Sequence, residues 1–148
     1  MVTSLTVFHP RGAQSLAWSP DGNMIASTDS GDLRIFDAVS GEFLRILESD
    51  VSYNDYFNVA WSPDGKQLAA NTSYGSIFIW DVETGNHVGN FLGNGERANC
   101  FSWSQNGQDL AAGGDRGLLF IWNKSEETIF KISLPQMDYD ITALAWNP

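Results

Sequence analysis

The sequence predicts an all-β fold built from a repeated unit of four antiparallel strands. Two markers carry this prediction, and both recur every 42 to 44 residues. The first is a tryptophan before a turn, whose copies lie 43, 42 and 43 residues apart: Trp18, Trp61, Trp103 and Trp146. The second is a six-residue run from a glycine to an aromatic: Gly31 to Phe36, Gly75 to Trp80 and Gly117 to Trp122. Since so short a unit cannot bury its own faces, neighbouring units must complete the core.

The turn after each tryptophan has the composition of a type I turn between two strands. Serine suits its first corner, proline presets φ at the second, and glycine suits the fourth. The copies are Ser19-Pro20-Asp21-Gly22, Ser62-Pro63-Asp64-Gly65 and, without the proline, Ser104-Gln105-Asn106-Gly107. Trp61 is therefore expected to end one strand and Gln67 to begin the next.

Strands are predicted along the whole chain, and no helix pattern appears. Glycine-containing breakers lie where hairpins need them. The predicted strands are Leu5–Phe8, Ser15–Trp18, Met24–Thr28, Leu33–Phe36, Phe43–Leu47, Asn58–Trp61, Gln67–Thr72, Ser76–Val82, His87–Leu92, Ala98–Trp103, Asp109–Ala112, Leu118–Trp122, Thr128–Leu134 and Ile141–Trp146.

The third and fourth strands of a unit differ in pattern. The third strand is apolar on both faces, as at Ser76–Val82, and must be covered on both sides. The fourth alternates, as at Thr128–Leu134, which suits an outer edge partly in water. Four-stranded antiparallel sheets packed face to face around an axis satisfy both patterns, so we predict a β-propeller whose ring is incomplete within one chain.

The turn motif and Trp80-Asp81 at the end of the third strand resemble the WD40 repeat β-propeller family. The resemblance covers the whole chain and implies a single propeller segment over residues 1–148. It implies blades at about 13–49, 56–92 and 97–134, an outer strand of a preceding blade at about 5–8, and a lone inner strand at 141–146. It also implies that Ser15–Trp18, Asn58–Trp61 and Ala98–Trp103 line a central channel. The repeat-motif residues are Trp18, Asp21, Gly22, Phe36, Asp37, Trp61, Asp64, Gly65, Trp80, Asp81, Trp103, Gly107, Trp122 and Trp146.

Many blades of this family contain a hydrogen-bonded group of His, Ser or Thr, Asp and the third-strand Trp, but no blade of this chain has all four. The first has His9 and Thr28, with Ser30 and Phe36 at the other two positions. The second keeps Thr72 and Trp80, with Ser52 and Tyr74; the third keeps Trp122, with Asn94, Gly114 and Arg116. We therefore expect blade rigidity to come mainly from packing.

Charge and composition exclude several classes of function. With 18 Asp and Glu against 8 Lys and Arg, the formal charge is -10, which argues against a nucleic-acid partner. Cys100 is the only cysteine, so no internal disulfide is possible, and we expect it to be a small buried hydrophobe. No apolar stretch approaches membrane-spanning length, and no secretion signal is visible, so an intracellular, cytoplasmic protein without a membrane partner is expected.

No constellation for catalysis, metal binding or cofactor binding was found, and none is predicted. His9 and His87 are the only histidines, and neither has a Cys or Glu at ligand spacing. The expected function is a non-catalytic scaffold for protein–protein interaction, which the family resemblance implies. The alternative is part of a larger propeller protein, including a propeller enzyme; the predicted inner strands, however, offer no carboxylate or histidine.

The long connection Ser49–Phe57 is the candidate partner-binding loop. It carries Tyr53, Tyr56 and Phe57, and exposed aromatics of this kind anchor interfaces. The alternative, equally weighted, is that these rings pack under their own loop or against a neighbouring blade.

The number of units predicts self-association. The chain holds about three and a half units, whereas closed propellers have about 4 to 8 blades. An open arc would expose an apolar face at each end. We expect copies to associate head to tail into a closed homo-oligomer, with a dimer favoured and a trimer second, or else the sequence to be a piece of a larger propeller.

Overall fold

The computed structural model describes residues 12–29, 31–48, 55–91, 97–126, 128–133 and 138–147. Within these ranges the chain forms twelve strands and one short 3-10 turn, Asp115–Gly117. The strands are β1 (Ser15–Trp18), β2 (Met24–Thr28), β3 (Leu33–Asp37), β4 (Phe43–Leu47), β5 (Tyr56–Trp61), β6 (Gln67–Thr72), β7 (Ile77–Asp81), β8 (His87–Phe91), β9 (Ala98–Trp103), β10 (Asp109–Gly114), β11 (Leu118–Asn123) and β12 (Thr128–Ser133).

The strands form three separate four-stranded sheets, each built from four consecutive antiparallel strands. We call them the first blade (β1–β4), the second blade (β5–β8) and the third blade (β9–β12). The innermost strands lie in a row, since β1 contacts β5 and β5 contacts β9. The all-β prediction is confirmed, and the three described blades do not close into a ring.

The turn between the first two strands is the same in every blade. The amide of the glycine donates to the serine carbonyl oxygen at 2.9 Å in the Ser19–Gly22, Ser62–Gly65 and Ser104–Gly107 turns. These glycines have φ of +74°, +70° and +67°, a left-handed conformation that a side chain disfavours. The loss of proline in the third copy leaves this hydrogen bond unchanged.

The hydrophobic core lies between blades rather than within them. We call the side of a blade that faces the next blade its trailing face and the opposite side its leading face. Leu33, Ile35 and Leu47 on the trailing face of the first blade pack in one cluster with Trp61 and Trp80 of the second. A second cluster joins the trailing face of the second blade to the leading face of the third. Each core therefore needs two blades, as the repeat length predicts.

The predicted ends of the chain differ from the blades. Residues 141–146, which we predicted as a lone inner strand, pair with no strand among the described residues. The segment nevertheless lies beside the third blade, because the amide of Ile141 donates to the carbonyl oxygen of Gly114 at 2.9 Å. The predicted strand Leu5–Phe8 lies outside the described residues. No helix in the described ranges is long and apolar enough to cross a membrane.

Candidate interaction surfaces

Each inner strand is joined to the preceding blade by the tryptophan that ends it. The indole Nε1–H of Trp61 donates to the carbonyl oxygen of Ala17 at 3.0 Å, and that of Trp103 donates to Ala60 at 3.3 Å. The indole of Trp146 donates to Ser102 at 2.9 Å. The acceptor is always the residue just before the preceding tryptophan of the repeat. The 42- to 44-residue period was the sequence signal for this contact, but it could not show the hydrogen bond itself.

Trp18 occupies the same repeat position without a described blade in front of it. Its side chain is 61% exposed, whereas Trp61 and Trp103 are each 7% exposed. Leu16 is 59% exposed, whereas Val59, at the same position of the second blade, is 7% exposed. The leading face of the first blade therefore presents an apolar surface around its inner strand.

The trailing face of the third blade is also open along its outer strand. Leu47 of β4 and Phe91 of β8 are each 1% exposed, because the next blade covers them. Ile132 holds the same register position in β12 but is 42% exposed, and its neighbour on that face, Phe130, is 56% exposed. The two ends of the arc are thus the sites where the repeated packing is incomplete.

The aspartates of the repeat motif stabilise turns. Asp21 accepts from the Ser19 hydroxyl and Asp64 from the Ser62 hydroxyl, both at 2.6 Å; Asn106 accepts from Ser104 in the same way at 2.7 Å. The serine hydroxyl bond, followed by bonds from the turn itself, holds the pKa of Asp21 below its usual value. The hydrogen bond from the Ser62 hydroxyl is likewise the main cause that lowers the pKa of Asp64. These carboxylates are structural.

The aspartates that follow the third strand hold the hairpin to the fourth strand. Asp37 Oδ1 accepts from the Ser40 amide at 2.7 Å and from the Ser40 hydroxyl at 2.8 Å. Asp81 Oδ1 accepts from the amide and the hydroxyl of Thr84, each at 2.8 Å. The backbone amide bond is the main cause that lowers the pKa of each carboxyl. Both carboxylates therefore stabilise the hairpin turn.

The third-strand aromatics are packed against their neighbours. Trp80 is fully buried, and its indole donates to the backbone carbonyl oxygen of Glu48 at 2.9 Å. Phe36 is 4% exposed and packs edge-on against Phe43. Trp122 is half-buried against Phe91, with ring centroids 6.4 Å apart. His9, Ser30, Ser52 and Asn94, which we expected at the remaining positions of the group, lie outside the described residues.

The predicted aromatic loop divides between core and surface. Tyr56 is 2% exposed and meets Trp80 edge-on at 5.5 Å, so its ring packs against its own blade, in line with the packing alternative given above for these aromatics. Phe57 is 37% exposed and remains a candidate contact. Tyr53 lies outside the described residues.

A polar cleft of about 330 Å³ lies beside Phe57, where the inner strands begin. Asn71, 2% exposed, accepts from the Asn58 amide at 2.8 Å and donates to the Ala98 carbonyl oxygen at 2.6 Å. The Asn58 side chain donates to the Asn99 carbonyl oxygen at 3.1 Å. These amides join the second blade to the third, so their first role is structural.

Groups that could support chemistry are dispersed. His87 packs against the rings of Phe78 and Trp80, with centroids 5.3 and 6.1 Å away. Burial raises the pKa of the half-buried Cys100 thiol, which disfavours a reactive thiolate. In the described part of the chain, no three His, Cys, Asp or Glu side chains are grouped as metal ligands.

Three face-to-face antiparallel sheets with their inner strands in a row define an open arc of a β-propeller. Two family models match the sequence: "WD domain, G-beta repeat" over residues 2–37, and "Anaphase-promoting complex subunit 4 WD40 domain" over residues 47–106. The solved structure of the RRP9 WD40 repeats is similar with a TM-score of 0.77 and 20% identity. The chain belongs to the WD40 repeat propellers.

The likeness to RRP9 concerns the fold alone. It covers 88% of this chain and 41% of the RRP9 chain, so the chain spans less than half of that propeller protein. No curated protein sequence matches the chain. The comparisons therefore give the architecture, and a partner must be inferred from surfaces.

Proposed function

We propose that the chain is a non-catalytic WD40 scaffold for protein–protein interaction, and that copies of it associate head to tail to close the ring, as a dimer. The observation that carries this proposal is the exposure of Leu16 and Trp18, at 59% and 61%, where the same positions of the second blade are each 7% exposed. A blade-like partner on this face would give Trp18 the contact that Trp61 and Trp103 already make.

The two end faces match each other in chemistry. The leading face offers the indole N–H of Trp18, and the segment 138–147 offers the carbonyl oxygen of Ala145, which stands one residue before Trp146 as Ala17 and Ala60 stand before Trp18 and Trp61. Both faces add exposed apolar side chains. A second copy therefore supplies the missing half of each contact.

The apolar area supports association of this kind. Four large side chains of the leading face are 40–61% exposed: Leu16, Trp18, Phe43 and Ile46. Full burial of one such side chain is worth about 1.5–3 kcal/mol, so burying the exposed half of four gives about 3–6 kcal/mol per junction. A closed dimer has two junctions, and about 6–12 kcal/mol stands against an association cost of about 4–15 kcal/mol.

A scaffold suits the remaining surfaces better than an enzyme does. The described inner strands carry no carboxylate and no histidine. The formal charge of -10 disfavours nucleic acid as a partner, because phosphate binding needs clustered cations. Phe57, at the edge of the polar cleft, is the candidate contact for a protein partner.

Light scattering on size-separated protein tests the proposal. At tens of micromolar we expect the parent chain to have twice its 16.3 kDa mass. Leu16→Asp should be monomeric, because the charge would be buried without a partner. Val39→Asp is the matched control, since Val39 is 82% exposed in a turn, and it should remain dimeric. A monomeric parent chain would overturn self-association and leave the end faces to further blades of a longer protein.

A further inference from the structure

Grooves at the two seams between blades are built from equivalent positions but are filled differently. The groove between the first and second blades measures about 480 Å³, and the groove between the second and third measures about 490 Å³. The third strand supplies the same residue type to each, Ile35 in the first groove and Ile79 in the second. The repeat thus provides an internal comparison of two similar cavities.

An arginine of the chain itself spans the first groove. Arg45 of β4 lies opposite Ile35, and its Nη1 donates to the carbonyl oxygens of Val82 at 3.0 Å and Glu83 at 2.7 Å. The guanidinium therefore joins the outer strand of one blade to the hairpin of the next.

Among the described residues, no arginine spans the second groove in this way. Gly89 lies opposite Ile79 in β8 and so holds the position of Arg45; a methyl group added to it would meet no other atom within 4 Å. Lys124 and Ser125 carry the carbonyl oxygens equivalent to those of Val82 and Glu83. The backbone shows this equivalence, because the Val82 amide donates to the Lys66 carbonyl oxygen and the Lys124 amide donates to the Gln108 carbonyl oxygen, at the same position of the next repeat.

We propose that the groove between the second and third blades binds an arginine side chain from a partner protein. The guanidinium donates to the Lys124 and Ser125 carbonyl oxygens, as Arg45 does at the first seam, and the aliphatic stem lies over Gly89. Val88 and Ile129 line the groove and are 51% and 48% exposed, which suits apolar residues beside the arginine. The chain's charge of -10 favours a basic partner.

Lys124 is the one cation among the described residues that line this groove. Lys124 directs its ammonium to the side-chain oxygen of Gln67 at 2.9 Å. At the first seam Lys66 and Arg45 line one groove together with Asp81 and Glu83, whose places in the third blade are taken by Asn123 and Ser125. This groove lies between the second and third blades and not at either end of the arc. The proposal is therefore independent of how the ring closes.

The test uses the acetylated and amidated pentapeptide Gly-Leu-Arg-Leu-Gly, with a citrulline counterpart that keeps the shape and removes the charge. Two-dimensional NMR of the 148-residue chain follows the Gly89 amide and the Trp122 indole. We expect saturable shifts of both signals at millimolar arginine peptide, with binding of the citrulline peptide at least about fivefold weaker.

Filling the groove should abolish the shifts. Gly89→Arg places the chain's own guanidinium there, and Gly89→Phe copies the third blade, where Phe130 holds this position; either variant suffices if the other fails to fold by circular dichroism. Gly89→Ala, whose methyl group meets open space, should bind like the parent. Absent shifts, equal binding of both peptides, or shifts that persist in a folded filled variant would overturn the proposal.

Discussion

Replacing Trp61 by alanine should destabilise the chain far more than the same change at Trp18. The two residues end equivalent strands, but Trp61 is 7% exposed and donates to Ala17, whereas Trp18 is 61% exposed. Truncating a buried tryptophan to alanine costs about 3–5 kcal/mol, including its cavity. Trp18 buries less than half as much of its surface and leaves no enclosed cavity, so we expect a loss of about 1–2 kcal/mol.

Urea unfolding followed by circular dichroism measures both losses. The protein should be below one micromolar, so that association at the leading face does not contribute. Because a domain is stable by only about 5–15 kcal/mol, Trp61→Phe and Trp18→Phe serve as a milder pair if the alanine variant does not fold. Losses that agree within about 0.5 kcal/mol would refute the packing of the first two blades described above.

Three further changes test individual contacts. Trp80→Phe should cost about 1–2 kcal/mol in urea unfolding, because the bond to the Glu48 carbonyl is lost while the ring is mostly replaced; Phe36 shows that the fold accepts phenylalanine there. Gln105→Pro should stabilise by about 0.4–1 kcal/mol, since prolines hold this turn position in the other two blades. In an acid titration, the stabilisation from Asp37 and Asp81 should be complete well above the unfolded pKa of 3.8 and should decline as pH falls through 3.8 towards their lowered folded values. Asp81→Asn should reduce that acid dependence; an unchanged profile would contradict the turn's role.

The sequence was sufficient for the fold because the markers of the repeat act locally. Serine, aspartate and glycine at fixed spacing specify a turn through bonds within five residues, so the three turns agree with expectation. The outer strands follow from alternation, and the third strands follow from apolar residues on both faces. Residues 141–146 pair with no strand in the described part of the chain, because a β-ladder needs a hydrogen-bonded neighbour as well as an apolar pattern.

The candidate surfaces were harder to predict because they depend on contacts between blades. Tyr56 and Phe57 are adjacent aromatics in one strand, and only the packing of Trp80 decides that the first is buried and the second exposed. The difference between Arg45 and Gly89 is visible in the sequence. The strand register shows that both residues hold the same position at neighbouring seams, and the sequence alone does not show this.

Hydrogen exchange of the tryptophan indole N–H groups tests the central account, an open arc held by contacts from each blade to the one before it and closed by copies of the chain. In dilute monomer the indoles of Trp61, Trp103 and Trp146, which donate to carbonyls, should exchange slowly, and that of Trp18 should exchange fast. At concentrations where the dimer forms, Trp18 should become as slow as the others. A Trp18 indole that exchanges fast at every concentration, or a Trp61 indole that exchanges as fast as Trp18 in the monomer, would contradict it.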